Sequence, residues 1–340
     1  MGINVLSLFD GLSGGQLALD KLGIKVDNYF ASEVDKYAIQ VAKCNYPNTI
    51  HLGDVRDIKA DSSGLNYFHK IDLLIGGSPC QDLSFAGRGK GLDGERSGLF
   101  FEYVRLLNEL KPKYFLLENV KMKKENMDVI TKLLGVEPIM INSALFSAQN
   151  RQRLYWTTIP TNTNIEDRGI VLKDIIEDNF MTDREKAHCI DANYWKGGNL
   201  KSYFTKSRRQ LVFNKCIQVG EADVNGHDIL KRVYSTEGKA PTLNTMGGGN
   251  REPKIVTDEG LKSNLSDLAW RKLTCLECER LQTVPDMYTQ YGIDVDAKDY
   301  DNTLHNHLQR KKISNTQRYK MLGNGFNVDT VAHILKNMEV

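Results

Sequence analysis

The stretch Val5-Leu6-Ser7-Leu8-Phe9-Asp10-Gly11-Leu12-Ser13-Gly14-Gly15 indicates the fold class of this chain. Its first five residues form a short apolar run typical of a buried strand, and its glycines form a turn into a helical pattern that ends at Gly23. Glycines at such a turn let the backbone approach a ligand, and the start of the helix offers amides without partners. The spacing is not the G-x-G-x-x-G dinucleotide fingerprint, so a purely structural strand–helix turn is an equal alternative.

Strand and helix signals continue to alternate as far as residue 160. The predicted strands are 28–32, 71–76, 114–117, 138–141 and 154–158, and the predicted helices are 35–45, 99–110 and 127–134. This alternation predicts an α/β fold with a doubly wound, mostly parallel sheet.

The pattern changes after Pro160. Residues 161–265 are rich in Asn, Thr, Lys, Gly and charge, which predicts a second, smaller unit with irregular β-structure. Helical patterning returns at 265–281 and 328–338. We therefore expect a catalytic domain over 1–160, completed by 301–340, and a second domain over 161–300.

Composition restricts the class of protein. The chain has 340 residues, of which 41% are hydrophobic, enough for two domains with a real core. Its mean hydropathy is −0.42, and no run of about 18 apolar residues occurs, so we expect no membrane span. The N-terminus carries no export signal, which predicts a cytoplasmic protein, and its six cysteines are expected to be free thiols.

The charges are nearly balanced overall, with 45 basic and 43 acidic residues, but they are unevenly distributed. Between Lys196 and Val256 there are eleven basic and five acidic residues, and between Asp301 and Lys320 there are five and one. Such segments are either ordinary solvated surface or patches that face phosphates. The sequence leaves both interpretations open.

Two acidic residues follow predicted strands. Glu33 lies at the end of the second strand, where a carboxylate can accept hydrogen bonds from ribose hydroxyls. Asp54 lies where a third strand should end, and it could accept from an adenine amino group. Each alone is an ordinary surface acid, but together with the glycine turn they predict a pocket for an adenosine-bearing cofactor.

A second group of polar residues, at the same edge of the sheet, suggests a catalytic site. Cys80 follows a strand in Gly76-Gly77-Ser78-Pro79-Cys80-Gln81-Asp82-Leu83-Ser84, and a thiolate there would be a strong nucleophile. Glu118 ends another predicted strand. Arg151 and Arg153 share one face of a strand and can point into one cleft. The structural alternatives are a buried cysteine for Cys80 and a helix cap or surface acid for Glu118.

These motifs, in this order, resemble the signature motifs of the DNA (cytosine-5)-methyltransferases of bacteria and phages. The matching segments are Phe9–Gly15, Pro79-Cys80-Gln81, Glu118-Asn119-Val120, Gln149-x-Arg151-x-Arg153, Arg271–Thr274 with Glu277–Gln282, and Gly323-Asn324-Gly325. The segments Leu6–Gly15 and Leu134–Tyr155 are also similar to the catalytic domain of vertebrate de novo methyltransferases. The resemblance covers nearly the whole chain apart from about 161–265.

The resemblance implies a reaction. Cys80 would add to carbon 6 of a cytosine flipped out of duplex DNA, Glu118 would bind nitrogen 3 and the amino group, and Arg153, beside Arg151, would hold the carbonyl oxygen. Carbon 5 would then accept the methyl group of S-adenosylmethionine, without any metal. The cofactor residues implied are Phe9, Gly11, Leu12, Ser13, Gly14, Glu33, Val34, Asp54, Val55, Pro79, Leu99 and Asn324.

The resemblance also implies a target-recognition region within 161–300, braced by a helix near 265–282. The residues expected to contact DNA are Gln81, Ser84, Arg232, Thr242, Asn244 and Thr245. Three positions depart from the family pattern: Ser13 replaces glycine, Val34 replaces a tryptophan found in some members, and Gly325 replaces serine. The pair Cys275 and Cys278 lies in a helical pattern and is expected to be structural rather than a zinc or redox site.

Alternatives remain at this point. A catalytically silent DNA-binding relative would be expected to lose Cys80, Glu118 or Arg153, and an RNA methyltransferase would keep them. A monomer is favoured over a dimer because one flipped base needs one site, and the sequence leaves open whether a separate restriction endonuclease acts beside this protein.

Overall fold

The computed structural model describes most of the chain. The described residues are 2–59, 70–78, 98–177, 180–197, 199–213, 218–221, 232–234, 254–255, 270–296 and 309–339. For the short strands at 218–221, 232–234 and 254–255, only the backbone is described.

A seven-stranded sheet forms the centre of the catalytic part. Its strands are β1 (Ile3–Leu8), β2 (Val26–Ser32), β3 (Ile50–Gly53), β4 (Leu73–Gly76), β5 (Tyr114–Val120), β6 (Ile139–Asn142) and β7 (Gln152–Thr157). They lie in the order β3-β2-β1-β4-β5-β7-β6, and β7 runs in the opposite direction to the other six strands. The predicted doubly wound, mostly parallel sheet is confirmed, and the order of the strands reverses between the parallel neighbours β1 and β4.

Helices cover this sheet. They are α1 (Gly14–Lys21), α2 (Lys36–Asn45), α3 (Gly98–Leu110) and α4 (Lys124–Leu134), joined near the C-terminus by α8 (Asn315–Asn324) and α9 (Val328–Leu335). The central strands are apolar on both faces, as parallel strands beneath helices must be. One buried cluster lies on each face of the sheet, and α9 packs on α1 within the larger cluster.

The second part of the chain contains shorter elements. They are α5 (Leu172–Ile175), α6 (Leu200–Lys206), β8 (Leu211–Phe213), β9 (Gln218–Glu221), β10 (Arg232–Tyr234), β11 (Lys254–Ile255), β12 (Trp270–Lys272), α7 (Cys275–Leu281), β13 (Tyr291–Gly292) and β14 (Lys311–Lys312). Small sheets join β11-β10-β9, β12-β8 and β13-β14, consistent with the irregular β-structure expected there. Buried residues of α5, α7 and β8 belong to the same core cluster as β1, so the two parts pack together. The proposed division at residues 160 and 300 stays a prediction.

The helix predicted at 265–281 is wrong at residues 270–272, and residues 265–269 lie outside the described residues. Trp270–Lys272 is strand β12, paired antiparallel with β8, and α7 begins only at Cys275. Thr274 caps α7, because its side chain accepts from the backbone amide of Glu277 and the Glu277 carboxylate accepts in return. Cys275 and Cys278 are free and buried in α7, in agreement with a structural role, and burial raises the pKa of Cys275 to about 11.

No helix within the described parts of the chain is long and apolar enough to cross a membrane.

Candidate active site

A cavity of about 660 Å³ lies at the carboxyl ends of the parallel strands. The end of β2, the segments that follow β1, β2, β3 and β4, and the first turn of α3 form one part of its wall, and β5, the start of β7 and the end of α8 form another. This is where open α/β sheets bind ligands, because the loops diverge where the strand order reverses.

Eight of the twelve residues proposed for the cofactor line this cavity. They are Phe9, Gly11, Glu33, Val34, Asp54, Val55, Leu99 and Asn324. Leu12, Ser13 and Gly14 lie in the turn and first residue of α1 without lining it, and Pro79 lies outside the described residues. A role for each in binding stays a prediction.

Glu33 anchors the glycine turn. One carboxylate oxygen accepts from the backbone amide of Gly11 at 2.8 Å, and the other accepts from Val34 and Asp35 at 2.7 and 2.8 Å. Gly11 has a φ of +60°, a conformation that glycine adopts without steric cost. The carboxylate thus fixes the turn, and as a cavity-lining group it keeps one lone pair on Oε2 for a further donor.

Ser13 also has a positive φ, of +65°. Because that conformation favours glycine, it explains why a glycine is common at this position in the family that the sequence resembles. The Ser13 hydroxyl donates to Asp10 at 2.6 Å, and this hydrogen bond offsets part of the strain.

Asp10 is a buried carboxyl group beneath the same turn. It accepts from the Ser13 hydroxyl at 2.6 Å and from the Tyr29 hydroxyl at 2.8 Å, and it is only 5% exposed. Burial raises its pKa from 3.8 to about 6, although the hydroxyls counteract the shift. The native protein therefore holds this proton over a pH range in which the unfolded chain has lost it.

An Asp10→Asn substitution is expected to stabilise the protein relative to wild type as pH rises from about 4.5 to 7.5. The folded-state pKa is raised, so the carboxyl favours folding below the unfolded value and loses that contribution as pH rises through about 6. Asparagine has no such ionisation, and the difference in unfolding free energy should change by about 1–3 kcal/mol. Urea unfolding at both pH values measures this, and a difference independent of pH would contradict it.

Asp54 has a local partner. Its carboxylate accepts from Arg56 Nε at 2.9 Å and from the Arg56 backbone amide at 3.0 Å. The Arg56 side chain, and then that amide, lower the pKa of Asp54 to about 2. An adenine amino group would share the carboxylate with Arg56. Nearby, the Val34 side chain is 70% exposed at the cavity wall.

Glu118 and Arg153 form an ion pair at the other end of the cavity. Glu118 belongs to β5, which extends three residues beyond its predicted end, and Arg153 belongs to β7. Val120 pairs with Arg153 and Glu118 pairs with Tyr155, so Glu118 and Arg153 are diagonal neighbours on one face of the sheet. Arg153 Nε lies 2.9 Å from Glu118 Oε1, and both side chains are mostly buried.

Ser78 connects this pair to the segment that contains Cys80. The buried Asn119 side chain, next to Glu118, donates to Ser78 Oγ at 3.1 Å. Ser78 and Gly77 line the cavity, and Cys80 follows two residues after Ser78. Cys80 itself lies outside the described residues, as do Gln81, Ser84, Thr242, Asn244 and Thr245, whereas Arg232 is described only as part of the β10 backbone.

Arg151 faces the same cavity but its guanidinium binds the backbone. It is 3% exposed and donates to the carbonyl oxygens of Gly325 at 2.9 Å, Gly323 at 3.4 Å and Ile190 at 3.5 Å. The structure therefore brings both arginines together as expected. Their partners differ, because Arg153 pairs with a carboxylate, while Arg151 binds three backbone carbonyl groups in two segments of the chain.

Gly323 permits a close approach between α8 and the segment around Asp191 in the second part of the chain. A Cβ atom on Gly323 would lie 2.3 Å from the carbonyl carbon of Asp191 and 2.4 Å from the amide nitrogen of Ala192. Both neighbours are backbone atoms, so neither can turn aside. Only glycine fits here without moving one segment.

A Gly323→Ala substitution is expected to cost about 3 kcal/mol of unfolding free energy through overpacking. For a chain of this size, the melting temperature should fall by roughly 5 °C. Differential scanning calorimetry measures the loss. The control is Gly98→Ala, because a Cβ on Gly98 meets no atom of the described residues within 4 Å, and its melting temperature should stay near that of wild type. Equal melting temperatures for the two variants would contradict the prediction.

Other residues at the cavity were not predicted from the sequence. Phe326 directly follows the Gly-Asn-Gly motif and lines the cavity, and a Cβ atom on Gly77 would lie only 3.0 Å from its ring. Cys189 was not predicted either, since an isolated cysteine in a polar segment has no sequence pattern that indicates a functional role. Its thiol contacts both Arg151 and Arg153.

Comparison with known proteins agrees with this architecture. Residues 3–340 match the family described as C-5 cytosine-specific DNA methylase. The orphan methyltransferase M.SPBetaI of Bacillus phage SPbeta is 26% identical over 99% of this chain and 97% of its own length. The orphan methyltransferase M.SPRI of Bacillus phage SPR is 30% identical over 77% of this chain and 68% of its own.

Solved structures share the fold. The methyltransferase EhMeth of Entamoeba histolytica superposes with a TM-score of 0.64 at 13% identity, covering 99% of this chain and 98% of that one. A mutant of Spodoptera frugiperda DNMT2 gives 0.60 at 16% identity, covering 98% and 99%. The family match extends over nearly the whole chain, including every segment that lines the cavity. The chain belongs to the C-5 cytosine-specific DNA methylases and is a DNA cytosine methyltransferase.

Proposed function

We propose that this enzyme flips a target cytosine out of duplex DNA and methylates its carbon 5 within a short, specific sequence. The observation that carries the proposal is the Glu118–Arg153 pair, held at 2.9 Å on one face of the sheet in the same cavity as the Gly11–Glu33 turn. The pair suits the polar edge of a cytosine, and the turn suits a nucleoside cofactor. One cavity thus offers a place for both reactants.

The cavity residues fit S-adenosylmethionine. Acidic side chains outnumber basic ones on its wall, which favours a ligand with a sulfonium and an ammonium group. The acids are Asp10, Glu33, Asp35, Asp54, Glu102 and Glu118, and the bases are Arg56, Arg151 and Arg153. Glu33 would hold the ribose and Asp54 the adenine amino group, and Val34 would cover one face of the base. When bound, the cofactor supplies an electrophilic methyl group.

The protein's own residues would activate the cytosine. Addition of the Cys80 thiolate to carbon 6 makes carbon 5 nucleophilic. Glu118 would hold a proton at nitrogen 3 and accept from the amino group as that adduct forms, and Arg153 would donate to the carbonyl oxygen. Once carbon 5 carries the methyl group, loss of its proton and elimination of Cys80 release the product.

Duplex DNA would meet the protein beside this cavity. Four basic side chains, Lys196, Lys201, Lys206 and Arg208, are exposed near the segment that contacts α8. They continue the basic stretch that extends to Val256, and such a surface would bind phosphates. Residues that read the bases would lie in the same stretch, with Arg232, Thr242, Asn244 and Thr245 as candidates.

The test combines purified protein, S-adenosylmethionine and unmethylated genomic DNA, followed by mapping of 5-methylcytosine at single-base resolution. Methylation at one short recurrent sequence is the expected result, and it would also give the specificity. Parallel reactions with transfer RNA separate the substrates. Methylation of RNA alone, or cofactor binding without any methylation, would overturn the proposal.

A further inference from the structure

Cys189 contacts both arginines of the active site from the second part of the chain. Its Sγ accepts from Arg151 Nη1 at 3.5 Å and from Arg153 Nη2 at 3.8 Å, and its thiol donates to the Ile190 carbonyl oxygen at 3.5 Å. We propose that Cys189 is a positioning residue that orients the Arg153 guanidinium, and through it Glu118, toward the target cytosine. This inference rests on the proposed function of the same cavity.

The contacts of Arg153 show what the thiol adds. Arg153 Nε meets Glu118 Oε1 at 2.9 Å, and Nη1 donates to the Gln152 carbonyl oxygen at 2.9 Å. The remaining nitrogen of the guanidinium is Nη2, and it donates to Cys189 Sγ. Because the guanidinium is planar, three contacts at three nitrogens fix its plane, whereas two let it tilt.

The segment that carries Cys189 is itself held firmly. The Ile190 amide donates to Gln149 Oε1 at 2.9 Å, and the His188 amide donates to Gln210 Oε1 at 3.3 Å. Gln210 in turn donates to the Tyr203 hydroxyl of α6 at 2.8 Å. Cys189 therefore connects these hydrogen-bonded residues of the second part to the residues that would bind the base. A movement of these residues would shift Cys189 and, through its thiol, the Arg153 guanidinium.

The experiment compares Cys189→Ala and Cys189→Ser with wild type. A serine hydroxyl can accept from both guanidinium groups, whereas alanine cannot. We expect Cys189→Ala to lower kcat about tenfold, as loss of a hydrogen bond to a charged group would, and Cys189→Ser to recover most of that loss. KM for S-adenosylmethionine and the melting temperature should stay near wild type. The matched control is Cys44→Ala, which removes a thiol from α2, and its kcat should not change.

Two kinetic outcomes would overturn the inference. One is a wild-type kcat for Cys189→Ala, and the other is a serine variant as slow as alanine with an equal fall in melting temperature, which indicates a purely structural role. A second readout does not depend on activity: exchange of the Arg153 Nε proton, followed by NMR, should become at least about tenfold faster in Cys189→Ala. An unchanged exchange rate also overturns it. A wild-type protein that methylates neither DNA nor RNA contradicts the proposed function instead, and the exchange rates still decide the role of Cys189.

Discussion

Cys80→Ala is expected to abolish methyl transfer while leaving cofactor binding intact. The physical reason is that carbon 5 of cytosine is a poor nucleophile until a group adds at carbon 6, and alanine offers no such group. Ser78, two residues before Cys80, lines the cavity, and its hydroxyl accepts a hydrogen bond from Asn119 beside Glu118. The measurement is transfer of a radiolabelled methyl group to DNA under single-turnover conditions.

A control and a second readout sharpen this test. Cys44→Ala removes a different thiol, at the far end of α2 from the cavity residue Ala38, and should keep wild-type turnover. DNA containing 5-fluorocytosine should form a lasting covalent complex with wild type, because fluorine at carbon 5 replaces the proton that must leave. Cys80→Ala should form no such complex. Turnover by the alanine variant, or a covalent complex formed by it, would show that another group adds to the base.

The central sheet was predictable from the sequence because local patterns determine it. Buried parallel strands are continuous apolar runs, and Gly23 ends α1 in the left-handed conformation that glycine favours. The positions of Glu33 and Asp54 at strand ends follow from the same alternation. Residues that lie at one sheet edge are brought together by the topology alone, which explains why Glu33 and Glu118 could be assigned to one cavity.

Elements whose inner face is polar could not be predicted in this way. Helix α8 shows no apolar period, because the buried Arg318 occupies its inner face and pairs with the buried Glu279 at 2.9 Å. The strand β12 depends on its pairing with β8, about sixty residues earlier in the chain. The spacing of apolar residues predicts neither a buried ion pair nor a strand partner that is far away in the sequence.

The roles of the two arginines illustrate the same limit at the site. Their spacing correctly places Arg151 and Arg153 at one cavity. It does not reveal that Arg151 binds carbonyl groups at Gly323 and Gly325, which are some 170 residues away. Nor does it reveal the contact with Cys189. Such partners come from tertiary packing, and they distinguish a residue that touches the base from one that holds the cavity together.

Glu118→Gln is expected to lower kcat by about 10²- to 10⁴-fold, the usual effect of removing a general acid–base group. Glutamine keeps the size of glutamate and can still hydrogen-bond to the base, but it cannot transfer a proton to nitrogen 3. It also leaves Arg153 without its carboxylate, so the guanidinium loses the partner that fixes Nε. KM for S-adenosylmethionine should change little, because the cofactor residues lie at the other end of the cavity. Steady-state and single-turnover kinetics measure these effects.

The matched control for this substitution is Glu109→Gln. Glu109 also pairs with an arginine, Arg105, at 3.0 Å, but it lies on α3 and does not line the cavity. Since an exposed pair of this kind contributes less than about 1 kcal/mol, both kcat and stability should stay near wild type. A Glu118→Gln enzyme within threefold of wild-type kcat would remove Glu118 from the proton transfer. In that case, the ion pair with Arg153 would serve only to shape the pocket, because the carboxylate could be replaced by an amide without slowing the reaction.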